Sequence, residues 1–402
     1  MKLWQVVGCA AIGLALAGTA RAETVKVGVL LPFSGPNADI GNQIYNGLDL
    51  YLKVHAKELG NNKIELLKRD SGPPTGAGAK TNAVELITQD HVQILTGFAF
   101  SPDAIATAPI ATQAKVPMII SNAGTAWIPS LSPYIVRVSF SMWHAAYPMG
   151  GYAVKDLGCH TAAVGYSDYP PGKDSLEAFK TGFEAAGGKV VDQIPMGGPA
   201  QVPDYTPFLQ RVKDEHPNCF YAFVPAGNHA AALMRVYGEL GMRQAGIKLI
   251  GPLDLIPDDH LQAMGKVAVG FIAMGHYAYD YTNAANKAFT ADWHKAYGAS
   301  SVPNFMAVQG WDSMAAIFHA VETLHGNVSD GAKVIASLEG WSEASPRGPI
   351  TIDPNTRDII ENEHVEEVVQ EPNGTLGVKV LETIPNVKDP CKQLKVGRCG
   401  AK

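Results

Sequence analysis

The sequence predicts an α/β protein made of two lobes of similar, Rossmann-like design. Three observations predict it: β-rich runs alternate with helical ones, the alternation starts over near the middle of the chain, and a length of 402 residues exceeds what one hydrophobic core organises.

Taken in order, an apolar run over 25–31 reads as a strand, and 42–59 reads as a helix with Ile44, Leu48, Tyr51, Leu52, His55 and Leu59 on one face. A strand over 64–68, a helix over 79–89, a strand over 92–96, a helix over 102–114 and a strand over 117–121 follow, bounded by Gly, Pro and Asn. The chain is expected to cross near 134–143. The rhythm resumes with strands over 161–166, 189–194, 219–224 and 248–250, separated by helices over 173–186, 204–215 and 228–240. Helices over 284–297 and 304–324 then lead into a β-rich tail at 350–352, 365–370 and 378–381. The expected lobes are 23–142 with 276–345 and 143–275 with 346–385, followed by a C-terminal tail over 386–402. Open parallel sheets bind ligands beyond the C-terminal ends of their strands. Two such sheets facing one another form a cleft that can close.

Lys2, an apolar run over 3–18 and small Ala20 and Ala22 predict a secretory leader cut after residue 22. The alternative is lipidation at Cys9, in Val6-Val7-Gly8-Cys9. Loss of Lys2 and Arg21 would take the net charge from −6 to −8, which does not favour nucleic acid as a partner. No later segment approaches the apolar length of a membrane span. Cleavage would leave Cys159, Cys219, Cys391 and Cys399, an even set whose spacing fits no zinc pattern and is expected to form two disulfides. The first and third strands of a doubly wound lobe are neighbours, so Cys159 is expected to pair with Cys219 and Cys391 with Cys399.

Leu31-Pro32-Phe33-Ser34-Gly35-Pro36, then Asn46-Gly47, Asp70, Val84-Glu85-Leu86-Ile87, Val92 to Gly97, Val116 to Ser121 and Gly251-Pro252 resemble the periplasmic binding proteins for branched-chain amino acids. The resemblance spans essentially the whole mature chain. It implies the type I periplasmic binding protein fold, two lobes joined by three crossing segments, and an ABC permease in the inner membrane as partner. It further implies a monomer in the periplasm that binds a small carboxylate and uses no cofactor. In that family a bound carboxylate is held by a Ser hydroxyl after the third strand, and by a Thr hydroxyl and backbone amides after the fourth. The matching positions are Ser101 and Thr125, with Asn122 and Ala123 in the same loop and Phe100 and Ile40 nearby. Ser101 immediately precedes a helix expected to begin at Pro102, an N-cap arrangement that favours an anion.

The second lobe departs from the family. Where the amino-acid binders carry a Glu against the ligand's ammonium, this chain reads Gly251-Pro252-Leu253-Asp254, so Asp254 could serve only if the loop shifted by one residue. A buried ammonium without a carboxylate is costly, so this change disfavours free amino acids. The aromatic residues Phe98, Phe100, Trp127, Trp143, Tyr166, Phe223 and Tyr277 are expected at the rim. Flat apolar walls with a hydroxyl or two suit an aromatic ring. The expected ligand is therefore an aromatic carboxylic acid. An amino acid or amide ligand and a sensor module are the alternatives.

Gly76-Ala77-Gly78-Ala79-Lys80-Thr81 lacks the contiguous Gly-Lys-Thr of a phosphate loop, and neither Gly-x-Ser-x-Gly nor His-Glu-x-x-His occurs. No enzyme chemistry is expected. The densest acid and histidine group, Asp254, Asp258, Asp259 and His260, is read as helix capping by Asp258 beside a solvated Asp259, with a metal as the lesser alternative.

Overall fold

The computed structural model describes residues 24–400. The expected leader and Cys9 lie outside them. The first part of the chain runs β1 (Thr24–Leu31), α1 (Ala38–His55), β2 (Lys63–Asp70), α2 (Ala77–Thr88), β3 (Ile94–Gly97), α3 (Ser101–Ala114), β4 (Met118–Ile120) and β5 (Ile135–Arg137). These strands form one parallel sheet in the order β2-β1-β3-β4-β5. Every residue of β3 and β4 is buried because helices cover both faces, which is why these strands are largely apolar and do not alternate.

The second part continues with α4 (Met142–Lys155), β6 (Thr161–Tyr166), α5 (Pro170–Ala185), β7 (Lys189–Pro195), α6 (Thr206–Glu215), β8 (Cys219–Phe223), α7 (Asn228–Glu239), β9 (Lys248–Pro252), α8 (Asp258–Met264) and β10 (Ile272–Gly275). After α9 (Ala284–Tyr297), α10 (Phe305–Thr323) and α11 (Gly331–Leu338), the chain returns as β11 (Ser342–Ser345), β12 (Gly348–Ile352), β13 (Ile359–Gln370) and β14 (Leu376–Lys388). The second sheet has the order β11-β12-β13-β10-β9-β8-β6-β7, with β14 paired to β13. It is parallel from β10 to β7, and its late strands are antiparallel. The chain passes from the first sheet to the second after β5, returns to pack α9 and α10 on α1 after β10, and passes over again after α11.

Helix α10 is buried along most of its length, and two glycines permit its approach to α1. A Cβ on Gly47 would stand 1.9 Å from the Ala307 carbonyl oxygen, and one on Gly310 would stand 2.0 Å from that of Ile44. The start of α10 is fixed by Asn304, whose side chain accepts the amides of Met306 and Ala307.

Several elements differ from the sequence reading. The expected crossing near 134–143 is occupied by a fifth strand and the start of α4, a helix concealed by Pro148, Gly150 and Gly151. Short β10 and α11 escaped notice, and β13 and β14 are much longer than the apolar fragments that signalled them. Both disulfides join the expected partners. Cys159 to Cys219 ties the starts of adjacent β6 and β8, Cys391 to Cys399 closes the tail, and each pair has its Cα atoms 5.8 Å apart. Among the described residues no helix is long and apolar enough to cross a membrane.

Candidate functional site

The site begins where β3 and β4 end. Phe98, directly after β3, takes a left-handed φ of 58°, which few non-glycine residues adopt. Its amide donates to the Leu30 carbonyl at 2.8 Å and its carbonyl accepts the Ala123 amide at 2.9 Å, so the loops after β3 and β4 are held together. Ser101 is the first residue of α3 and Phe100 its N-cap, so the expected capping role of Ser101 is corrected by one position. Freed from capping, the Ser101 Oγ accepts the Thr125 amide at 3.1 Å. Its own hydrogen remains to donate.

Ser101 and Thr125 are both fully buried, and the Thr125 Oγ1 has no partner among the described residues. Asn122 donates from Nδ2 to the Ala99 carbonyl at 2.7 Å, while its Oδ1 is also unpartnered. Leaving a buried hydroxyl unsatisfied costs about 1–3 kcal/mol, and a ligand acceptor would remove that cost. Several of the loop's backbone amides are already engaged. The amides of Ala123, Thr125 and Ala126 are taken by Phe98 O, Ser101 Oγ and Asp174 Oδ2 respectively, which leaves the hydroxyls of Ser101 and Thr125 among the loop's donors.

Beneath this loop lies Arg137, which sequence reading missed. Its guanidinium donates to the carbonyls of Ala123, Thr125 and Ala126 at 3.1, 2.7 and 3.3 Å. It also pairs through two bonds, of 2.6 and 2.7 Å, with Asp358. Both side chains are buried, and Arg137 and Lys392 together hold the Asp358 carboxyl well below the usual carboxylate range despite its burial. Arg137 thus fixes the backbone that aims Thr125. The partners are 221 residues apart, so nothing local signals the pair.

Across the cleft, Tyr169 stacks on Phe223 with centroids 6.1 Å apart and planes 14° apart, and Phe100 of the first lobe lies 6.5 Å from Tyr169. Tyr169 is the aromatic hydroxyl that the site expectation omitted. Asp254 follows β9 in a short turn, almost wholly buried, and burial pushes its carboxyl up to about 7. No cation stands against it among the described residues. Its charge adds to burial in keeping the Tyr169 and Tyr221 hydroxyls protonated. Leu253 fills the space over Gly275, with its Cγ 2.2 Å from where a Cβ would stand.

Ile40 and Ala123 are buried in the first lobe, and Tyr166 is half-buried at the end of β6. The Tyr277 hydroxyl donates to Asn286 of α9 at 3.0 Å, which spends it on packing. The rim expected for the aromatics is corrected at three positions. Phe98 belongs to the core, Trp143 is buried against Tyr147, and Trp127 faces the C-terminal tail, with the Arg398 guanidinium 4.5 Å from its ring.

The lobes stand closed. The Ala126 amide donates to Asp174 of α5 at 2.7 Å, Asn37 to the Pro199 carbonyl at 3.3 Å, and Asn228 to the Pro36 carbonyl at 3.0 Å. Burial pushes Asp174 up to about 7, partly offset by that amide. Asp259, expected to be solvated, instead accepts from Gln43 at 3.1 Å and Asn304 at 2.9 Å, because α8 faces α1 and the start of α10. Asp258 is likewise corrected: its carboxylate accepts the Tyr279 amide at 3.1 Å and caps no helix. A groove of 420 Å³ lined by Leu157, Met234, Tyr237, Ile247 and Phe271 lies at the N-terminal ends of β9 and β10, away from the cleft, and holds none of these groups.

Comparison with known proteins gives the family and the fold. Residues 24–370 match the family model described as "Periplasmic binding protein". A "Leu/Ile/Val-binding protein homolog 6" from Brucella melitensis is 37% identical over 97% of this chain and 99% of its own. A solute-binding protein of an ABC transporter from Rhodopseudomonas palustris BisB5, solved with 3,4-dihydroxybenzoic acid, is 41% identical, with a TM-score of 0.86 over 92% of this chain and 99% of that one. Another from R. palustris, solved with 4-hydroxybenzoate, is 36% identical, with a TM-score of 0.87 over 91% and 98%. The chain belongs to the periplasmic binding protein family of ABC importers, in its type I, Leu/Ile/Val-binding group.

Proposed function

We propose that this chain is the solute-binding component of an ABC importer and captures an aromatic carboxylic acid carrying a ring hydroxyl. The observation that carries the reading is the division of polar groups across the cleft. Buried hydroxyls on Ser101 and Thr125 stand in the first lobe, aromatic walls lie between, and a lone buried carboxyl on Asp254 stands in the second. The ligand's carboxylate accepts from the two hydroxyls, its ring lies among Phe100, Tyr169 and Phe223, and its hydroxyl meets Asp254. Closure then shields the polar contacts from water. The relatives solved with hydroxybenzoates support the same class of ligand.

Membership of the family implies a periplasmic location. Export by a leader cut after residue 22, action as a single chain, delivery to an ABC permease, and lobes divided at 23–142 with 276–345 and 143–275 with 346–385 all belong to the proposal.

A second reading rests on the same carboxyl, since Asp254 could equally pair with the ammonium of an amino acid. Titration calorimetry of the mature chain with 4-hydroxybenzoate, benzoate and leucine separates the two. The proposal expects heat from the acids and none from leucine. Tight leucine binding with silent acids would replace it with the second reading.

A further inference from the structure

The hinge between the lobes buries an acidic group that ligand capture does not use. His276 follows β10 on the second crossing, and Glu361 and Glu363 lie two apart on β13, so both side chains leave the same face of the strand. All three are almost completely buried, at 3%, 1% and 0% exposure, and one potential ligand atom from each lies within 4.8 Å of the others.

The surroundings leave this group short of positive charge. Arg347 is the cation in contact: it pairs with Glu361 through Nη1 and with Asp312 of α10 through Nε, the latter at 2.8 Å. One guanidinium thus faces the carboxyls of Asp312, Glu361 and Glu363. Both oxygens of Glu363, Oε1 of Glu361 and Oδ1 of Asp312 have no hydrogen-bond partner among the described residues. Gln309 of α10, whose Nε2 lies 3.2 Å from His276 Nε2, also has its Oε1 unpartnered. Burial and the neighbouring acids push the Glu361 and Glu363 carboxyls up, so without an ion they hold protons, in a place where neither Glu363 oxygen has a partner among the described residues. A divalent cation would take the place of those protons, because an imidazole nitrogen and two carboxyl oxygens already converge there.

We propose that His276, Glu361 and Glu363 bind one divalent cation at the hinge, of the zinc or manganese kind. One imidazole nitrogen with two carboxylates is a donor set that suits zinc and manganese better than calcium or magnesium, which favour all-oxygen shells. Bonds of about 2.0–2.2 Å require only that the three side chains draw together by small rotations. The ion would tie β13 of the second sheet to the crossing that leads to α9 and α10, and so stiffen the hinge about which the lobes close. Ligand capture at Ser101, Thr125 and Asp254 does not depend on it.

The test is metal analysis of the mature chain purified from the periplasm, dialysed, and then reloaded with zinc chloride or manganese chloride after chelation. The expected result is about one ion per chain and a melting temperature lowered by chelator and restored by the ion. The near-isosteric Glu363→Gln should weaken ion binding by roughly tenfold or more and remove the metal-dependent melting shift. Asp259→Asn, outside the cluster, should leave both intact. Wild-type chain that takes up neither zinc nor manganese, or that binds them equally well after Glu363→Gln, would overturn the proposal. The wild-type arm decides the matter even if the variant fails to fold.

Discussion

The two lobes meet the cleft in different ways. The first presents hydroxyls on a loop made rigid from below, where Arg137 holds three carbonyls and Phe98 accepts a left-handed backbone. The second presents two stacked rings and a carboxyl with no cation against it among the described residues. What differs is how much of each wall the protein completes by itself. The first lobe holds the buried hydroxyls of Ser101 and Thr125, which the proposed reading assigns to the ligand's carboxylate, whereas the second holds a carboxyl that the same reading assigns to the ring hydroxyl. On that reading one lobe takes the acid group and the other the ring substituent, so a change in the second lobe alone would alter which acid is taken.

The largest effect is expected from breaking the first lobe's floor. Arg137→Ala leaves Asp358 buried without its guanidinium, and removing one partner of a buried pair costs about 3–5 kcal/mol. Chemical denaturation should show that loss, together with weakened binding of every acid. Unchanged stability would mean that the loop after β4 needs no such support.

Next come the two hydroxyls. Ser101→Ala and Thr125→Val should each weaken aromatic acids by roughly tenfold or more, from about 1.5–3 kcal/mol per charge-assisted bond. Calorimetry reads this directly, and an effect confined to hydroxylated acids would place the carboxylate in the wrong lobe.

A pH series sharpens the second lobe. The Asp254 carboxyl is raised in the folded chain from 3.8 to about 7, so the folded state holds its proton more tightly than the unfolded one. Ionising it therefore costs stability as pH rises between those values, and the cost is complete above about 7. The advantage of Asp254→Asn over wild type in denaturation should grow across that window and then level off. A flat difference would mean the carboxyl is already paired.

The smallest effect concerns closure. Asp174→Ala removes one bond between the lobes, worth about 1 kcal/mol, and small-angle scattering should show a larger ligand-free particle with little change once the acid is bound.

How much of this was legible in the sequence follows from whether a signal was local. The alternating strands and helices are local patterns, the Cys159 to Cys219 pair followed from the strand order such alternation implies, and Ser101 and Thr125 were marked by the resemblance along the whole chain; the structure places the two residues together. Helix α4 was hidden because Pro148 and its glycines break the pattern while tertiary packing on α5 overrides them. Arg137 with Asp358, and Asp174 with Ala126, were invisible because each contact joins segments far apart in the chain. An acid near the start of a helix, like Asp174, ordinarily reads as dipole compensation. Tyr277 and Trp127 misled for the opposite reason, since an aromatic beside a strand end carries no mark of which way it turns.

The most direct test of the division between the lobes is a calorimetric matrix of benzoate and 4-hydroxybenzoate against wild type, Ser101→Ala and Asp254→Asn. The account predicts that Ser101→Ala weakens both acids by a similar factor, roughly tenfold or more, whereas Asp254→Asn alters 4-hydroxybenzoate alone. Equal losses of both acids on Asp254→Asn, or a Ser101→Ala effect limited to the hydroxylated acid, would contradict it.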